Sequence, residues 1–355
     1  MLKKSLISSF ITLIVSLLSF INQVVIAKFF GASGEIEMYI AITSIPTLIS
    51  GLISSGFNYA ALPAFVTQYN KDKNSLLPFL FSVLRLTFII TFILYILLFL
   101  FINYFDDSLY YSLSVKQYQS YNLVLLFSWL SSFASIIISI SNCYYNAKGQ
   151  FRLPLLLSLI PIILSILLTF IFHHTLGVAS IALGMFIGNA TVLLLILMIS
   201  DYSSFDNRYK RYKQEAVSVL KAVPIAAISM LCFSIYQTVD SIWGPLLGKS
   251  NLAYLSYAQR ITIALGGLII AGPFTILVPK LTESYDAKRM TDFYSYIISI
   301  LKTVIIYSII ILVLVSIFSE DIIKLLFERG KFNGGDTKIL ASILPFYLIG
   351  MGFML

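Results

Sequence analysis

Long uncharged runs recur along this chain at nearly regular intervals, and two of them, 86–101 and 155–172, hold no charged residue at all. Each approaches the length needed to cross a bilayer. Hydrophobic residues make up 59% of the sequence and charged residues 11%, with a mean hydropathy of +0.92, too little charge to cover a water-soluble surface. The runs are continuous rather than alternating, which argues against a β-barrel. Backbone polar groups in lipid must then be satisfied within helices, so the expectation is an all-α polytopic membrane protein.

Ten spans are expected, at roughly 5–30, 38–66, 77–104, 120–146, 154–175, 177–200, 216–247, 253–279, 293–318 and 337–355. The first follows Lys3 and Lys4 but is too long for a signal peptide and lacks a small-residue cleavage site. Cys143 and Cys232 both fall inside spans, lack metal-ligand spacing, and read as small buried apolar residues. With the N-terminus placed in the cytoplasm, alternate loops carry 13 Lys and Arg on the inner side against 6 on the outer. That bias supports a cytoplasmic N-terminus, and it gives the net charge of +8 a topological meaning instead of a nucleic-acid one. The run 343–355 has no basic anchor after it, so a chain that continues further is expected.

The two halves repeat a set of landmarks. Gly31, Gly56, Pro63 and Tyr69 in the first half correspond to Gly248, Gly272, Pro279 and Tyr285 in the second, with the glycine-to-proline step seven residues in both. FFGAS at 29–33 likewise matches LLGKS at 246–250. Six spans separate the copies, so the repeat is parallel, about an axis along the membrane normal, as in transporters whose two lobes rock about a central cavity. The expected division is an N-terminal lobe at 1–200, a basic cytoplasmic linker at 201–215 and a C-terminal lobe at 216–355.

Charge inside a span is costly and commonly faces a cavity. Arg85, Lys221, Asp240, Arg260 and Lys302 lie within spans, and Lys28 lies near the end of one. Lys28 and Lys221 can reach an interface with their long stems. Arg260 and Asp240 sit on consecutive spans. They form either an ion pair or a site at which Arg260 takes a phosphate with its planar fork. The repeat sets Gln23 opposite Asp240, and Asn22 with Gln23 interrupts the first span. These amides either line the same cavity or join helices. Arg85 and Lys302 are equivalent under the repeat and read as snorkelling or cavity-lining. His173 and His174 close the outer end of the fifth span, and Pro63, Pro154, Pro161, Pro224 and Pro279 can kink helices. The sequence holds no phosphate-binding loop, dinucleotide loop or metal-spaced histidine cluster, so neither an enzyme nor an ATP-driven pump is expected. Transport would draw on the membrane potential or on an ion or substrate gradient.

Four strings resemble the MviN/MurJ-type lipid II flippases of the multidrug/oligosaccharidyl-lipid/polysaccharide exporter superfamily. They are VVIAKFFGASGEIEMYIAITSIPTLISGLISSGFNYAALPAFVTQY, YNAKGQFRLPLLLSLIP, SYAQRITIALGGLIIAGPFTILVPKLTESY and IIKLLFERGKFNGGDT, in the family's order. The resemblance implies two six-helix lobes plus two helices, fourteen in all, of which about ten are present here. It implies movement of a polyprenyl-diphosphate-linked saccharide to the outer leaflet of a bacterial cytoplasmic membrane, in peptidoglycan or other polysaccharide biosynthesis, with glycan-assembly enzymes as partners. Cavity arginines of that family fall where this chain has Ser16, Asn22, Ser50 and Gly51, and its Arg-Asp pair falls on Asn22 and Gln23. Arg260 matches a cavity arginine, Ile263 stands where an acid is expected, and Lys28 and Glu37 match the flanks of the first turn. Capsule and O-antigen precursors therefore stay beside lipid II as substrates. A cation-coupled drug exporter using Asp240, and a membrane scaffold that does not transport, are the competing readings.

Overall fold

The computed structural model describes residues 2–105, 115–199, 211–244, 248, 250–286 and 289–354. Among them are twelve α-helices: α1 (Leu2–Phe30), α2 (Gly34–Lys71), α3 (Leu76–Phe105), α4 (Val115–Ala147), α5 (Arg152–Leu157), α6 (Leu159–Leu176), α7 (Ala179–Ile199), α8 (Lys213–Trp243), α9 (Asn251–Asp286), α10 (Met290–Ile317), α11 (Ser319–Phe327) and α12 (Gly334–Met354). Seven of the described helical segments are long and apolar enough to cross a membrane, which makes this a multi-pass membrane protein. All ten expected spans coincide with helices, the fifth being α5 and α6 together. That span breaks at Ser158, because Pro161 has no N–H to donate to the Leu157 carbonyl and its ring crowds that group.

The chain divides by packing into two compact units, one of residues 1–22 and 34–246, the other of 23–33 and 247–355. The division passes through α1 between Asn22 and Gln23 and leaves α8 in the first unit. This is a division by packing, whereas the lobes expected from the repeat are a division by topology.

In the first unit α2 lies between α4 and α8, around a core that includes Phe57, Phe65, Phe79, Trp129, Ile140 and Tyr144. Gly56 permits the approach of α8, since a Cβ there would stand 2.7 Å from the Val223 carbonyl oxygen. Across the other side, Ser139 donates to the Ser54 carbonyl at 3.3 Å and the Cys143 thiol to the Phe57 carbonyl at 3.8 Å. Cys143 is buried as expected, while the side chain of Cys232 lies outside the described residues. α6 and α7 form a hairpin through Gly177 and pack with Gly184 and Gly188 directly on the α6 backbone. Such close approach is how helices associate where lipid removes the hydrophobic driving force.

Buried hydrogen bonds tie this unit together across helices. The Tyr95 hydroxyl donates to Ser132 Oγ at 2.9 Å. Asn189 Nδ2 donates to Ser131 Oγ at 2.9 Å and to the Ser131 carbonyl at 3.2 Å. Interhelical bonds of this kind average about 0.6 kcal/mol and reach roughly 2. Asn189→Leu is therefore expected to cost about 1 kcal/mol, seen as a lower melting temperature of the detergent-solubilised protein. An unchanged melting temperature would show that the bond is replaceable.

In the second unit α9 packs against α10 and α12, and α11 lies across α12. Ile323 and Phe327 turn inward from α11, while Glu320, Asp321 and Lys324 stay exposed. The start of α12 is capped reciprocally. Asn333 Oδ1 accepts from the amides of Gly335 and Asp336 at 2.8 and 3.2 Å, and Asp336 Oδ2 accepts the Asn333 amide at 2.8 Å.

Candidate functional site

The second unit holds a clasp at the end of α1. The Lys331 amide donates to the Lys28 carbonyl at 3.0 Å, and the buried Tyr257 hydroxyl donates to the Gly31 carbonyl at 2.8 Å. Tyr257 rests on Phe327 and Phe332, with ring centroids 5.7 and 5.8 Å away. Gly31 and Gly330 both have positive φ, +60° and +65°, and each faces the backbone of the other strand. A Cβ on Gly31 would lie 2.8 Å from the Lys331 carbonyl oxygen, and one on Gly330 would overlap the Lys28 carbonyl. Alternating topology puts both loops on one side of the membrane, and their direct contact agrees with that. Gly31 and its repeat partner Gly248 share another feature, since Gly248 also has positive φ, at +114°. Each therefore makes a turn, of a kind costly for other residues, just before a very long helix. Gly272 and Pro279 fall within α9, but their side chains lie outside the described residues.

The candidate polar residues divide between the units. Asn22, Arg85 and Asp240 belong to the first, and Gln23, Lys28, Arg260 and Lys302 to the second. Asn22 is buried and its Oδ1 accepts from Ser165 Oγ at 3.5 Å, so one of the two amides joins α1 to α6. Gln23 is half-buried. Lys28 is exposed, with its ammonium 5.5 Å from the Phe29 ring centroid.

Arg85 and Lys302 share one kind of environment. Arg85 lies on an α3 face whose other exposed members are Phe88, Ile89, Phe92 and Ile96, and Lys302 on an α10 face with Leu301, Ile305, Ile306 and Ile309. Faces so uniformly apolar belong against lipid, where a long cationic side chain reaches towards the interface. Arg260 differs. Its exposed face of α9 also carries Ile263 and Gly267, and a Cβ on Gly267 would meet nothing within 4 Å. Asp240, on α8, is half-buried. Lys221 on α8 is exposed, as is His174, whose ring lies 3.9 Å from that of the half-buried His173.

Two polar faces hold residues beyond Ser16 and Gly51, the two positions on them that the family resemblance had marked. Thr12, Ser16 and Ser19 are exposed in mid-α1, and Thr47, Gly51 and Asn58 in mid-α2. Their spacing of three, four or seven residues puts each set on one helical face, a signal that could have found them. Exposed hydroxyls and amides at that depth suit a water-filled cavity better than lipid.

Three comparisons with known proteins bear on these arrangements. The family model described as lipid II flippase MurJ matches residues 26–355. A probable lipid II flippase MurJ of Buchnera aphidicola subsp. Schizaphis graminum (strain Sg) is 26% identical, covering 98% of this chain and 70% of the relative. The lipid II flippase MurJ of Thermosipho africanus (strain TCF52B) is 25% identical, covering 98% of this chain and 71% of the relative. Among solved structures, a lipid II flippase MurJ in an inward closed conformation superposes with a TM-score of 0.78 at 23% identity, covering 98% of this chain and 73% of the other. An inward-facing multidrug resistance MATE family transporter of the MOP superfamily superposes with a TM-score of 0.70 at 16% identity, covering 96% and 78%. At those identities the structural likenesses speak for the fold.

Proposed function

Because this chain belongs to the lipid II flippase MurJ family, we propose that it moves a polyprenyl-diphosphate-linked saccharide, lipid II or a related cell-envelope precursor, across the cytoplasmic membrane by alternating access. The family match over residues 26–355 carries this reading. The N-terminus lies in the cytoplasm, the lobes 1–200 and 216–355 move about the basic linker 201–215, and glycan-assembly enzymes supply and consume the lipid. The sequence offers no nucleotide site, so an ion gradient or the membrane potential drives the cycle.

Arg260 contacts the diphosphate in this reading. Its exposed position on a face shared with Gly267 supports the assignment, since a guanidinium in a span needs water or an anion beside it. A charge-assisted bond to phosphate contributes about 1.5–3 kcal/mol, so Arg260→Ala should slow translocation at least about tenfold. Arg260→Lys should recover part of the loss, keeping the charge without the fork. The assay is lipid II movement between leaflets in cells depleted of their own flippase and supplied with this protein. No movement, with the protein present in the membrane, would turn the search to other lipid-linked glycans. Movement that Arg260→Ala leaves untouched would remove that residue from the mechanism.

A further inference from the structure

Three segments at one end of the first unit converge on a single aromatic floor. The end of α2, the α4–α5 connection and the start of α8 meet over Phe65, Tyr69, Phe79, Tyr144 and Tyr212, all part of or packed on one core. Phe65 and Phe79 lie 4.8 Å apart by ring centroid and Phe79 and Tyr212 6.4 Å apart. Around this floor stand Lys71, Lys73, Lys148, Arg152, Arg211 and Lys213, against the acids Asp72 and Glu215. All six cations are exposed except Lys148, which is half-buried.

Short-range contacts hold the ring in place. Lys148 donates to the Tyr144 hydroxyl and its ammonium lies 4.2 Å from that ring's centroid. Lys73 lies 5.8 Å from the Tyr69 centroid. Gln68 Nε2 donates to Ser75 Oγ at 2.7 Å, and Asp72 accepts the Asn74 amide at 2.9 Å, which fixes the turn carrying Lys71 and Lys73. Beside Arg152 the ring of Phe151 is 55% exposed, on the connecting loop and not within a span. An exposed aromatic ring among cations at the end of a bundle is the pattern of a surface that enters the headgroup layer.

We propose that this end of the first unit is a docking platform for anionic phospholipid headgroups of the adjoining leaflet, with Phe151 seated among the acyl chains and Lys71, Lys73, Lys148, Arg152, Arg211 and Lys213 on the phosphates. A positive bias between loops sets orientation only. Here the cations share one packed aromatic floor, so they present several charges at once to the same small area of lipid. Basic residues near a membrane surface each favour anionic lipid severalfold, an effect confined to roughly a Debye length.

The test uses the whole protein reconstituted in phosphatidylcholine vesicles, with spin-labelled phosphatidylglycerol or phosphatidylcholine as probe. The protein should hold phosphatidylglycerol about fivefold more strongly than phosphatidylcholine, in keeping with the attraction of clustered cations for acidic headgroups. Lys71→Gln, Lys73→Gln, Lys148→Gln and Arg152→Gln together should bring the ratio most of the way to unity, the remainder resting on Arg211 and Lys213. Because Lys148 packs on Tyr144, the triple variant that keeps Lys148 guards against loss of the fold and should lose most of the selectivity. Lys324→Gln, Arg329→Gln, Lys331→Gln and Lys338→Gln together should leave the ratio unchanged. An unaltered ratio in the first two variants, or an equal fall in the third, overturns the proposal. So does selectivity that inorganic phosphate abolishes at constant ionic strength, because the anion would then be a soluble one.

Discussion

Gly330→Ala should strongly destabilise the folded protein. The residue sits at φ +65°, where a Cβ costs about 1–2 kcal/mol in backbone strain, and that Cβ would overlap the Lys28 carbonyl. Relieving the overlap must move either the end of α1 or the loop at 329–332. Either movement breaks the Lys331–Lys28 hydrogen bond and disturbs the stacking of Tyr257 on Phe332. Overpacking alone typically costs about 1–3 kcal/mol. The expected total is about 2–5 kcal/mol, a large share of the stability of an ordinary domain. Gly149→Ala is the comparison. Gly149 also has positive φ, at +73°, but nothing lies within 4 Å of its Cβ position, so only the strain of about 1–2 kcal/mol remains. Melting temperatures and monodispersity in detergent read both. Equal effects at the two positions would mean that the close approach of the two backbones contributes nothing.

Gly184→Ala combined with Gly188→Ala should separate α6 from α7. A Cβ on Gly188 would overlap Pro161 Cα, and one on Gly184 would overlap Ser165 Cα, both of them backbone atoms that no rotamer change can move. The helices would have to part by more than an ångström to restore ordinary contact near 3.5–4.0 Å, giving up dispersion contacts along the whole interface. A loss on the order of 3 kcal/mol is expected, from the usual cost of overpacking summed over two sites. Gly51→Ala should act in the opposite direction. Gly51 is helical and open, with nothing within 4 Å of its Cβ position, so alanine should gain up to about 1 kcal/mol through helix propensity. A destabilised Gly51→Ala protein, or a double α7 variant that melts like the parent, would show that space at the Cβ does not govern these positions.

The helices were readable from the sequence because lipid demands one thing of every span, an apolar run of fixed length. All ten expected segments are helical. Partner choice was less readable. Asn22 looks the same in the sequence whether it lines a cavity or accepts a bond from a neighbouring helix, and only the nearby Ser165 shows the second use. Arg85, Lys302 and Arg260 are each one cation in a span. Their differences come from the residues within two turns, apolar throughout in two cases and opening at Gly267 in the third. Tyr257 was passed over because a tyrosine in an apolar run gives no sign of being buried against a turn more than two hundred residues away. The Gly184–Gly188 spacing could have been read, since two glycines four apart in a span mark a close helix contact. The break at Ser158 follows from Pro161, one of several prolines that leave other helices continuous.

The clasp at the end of α1 also orders events in time. The Gly31 carbonyl waits for a hydroxyl 226 residues further on, and the Lys28 carbonyl for an amide at residue 331. At the roughly 5–20 residues per second of protein synthesis, the first helix stands in the membrane for some tens of seconds before its C-terminal end can be locked. During that interval α1 lacks both of these bonds. Chaperones or an insertase that shield an early, polar-faced helix would act in this window, and a pause in synthesis before residue 330 would lengthen it. The last bond of the clasp therefore depends on a late loop, whose arrival completes the anchoring of a helix that was made first.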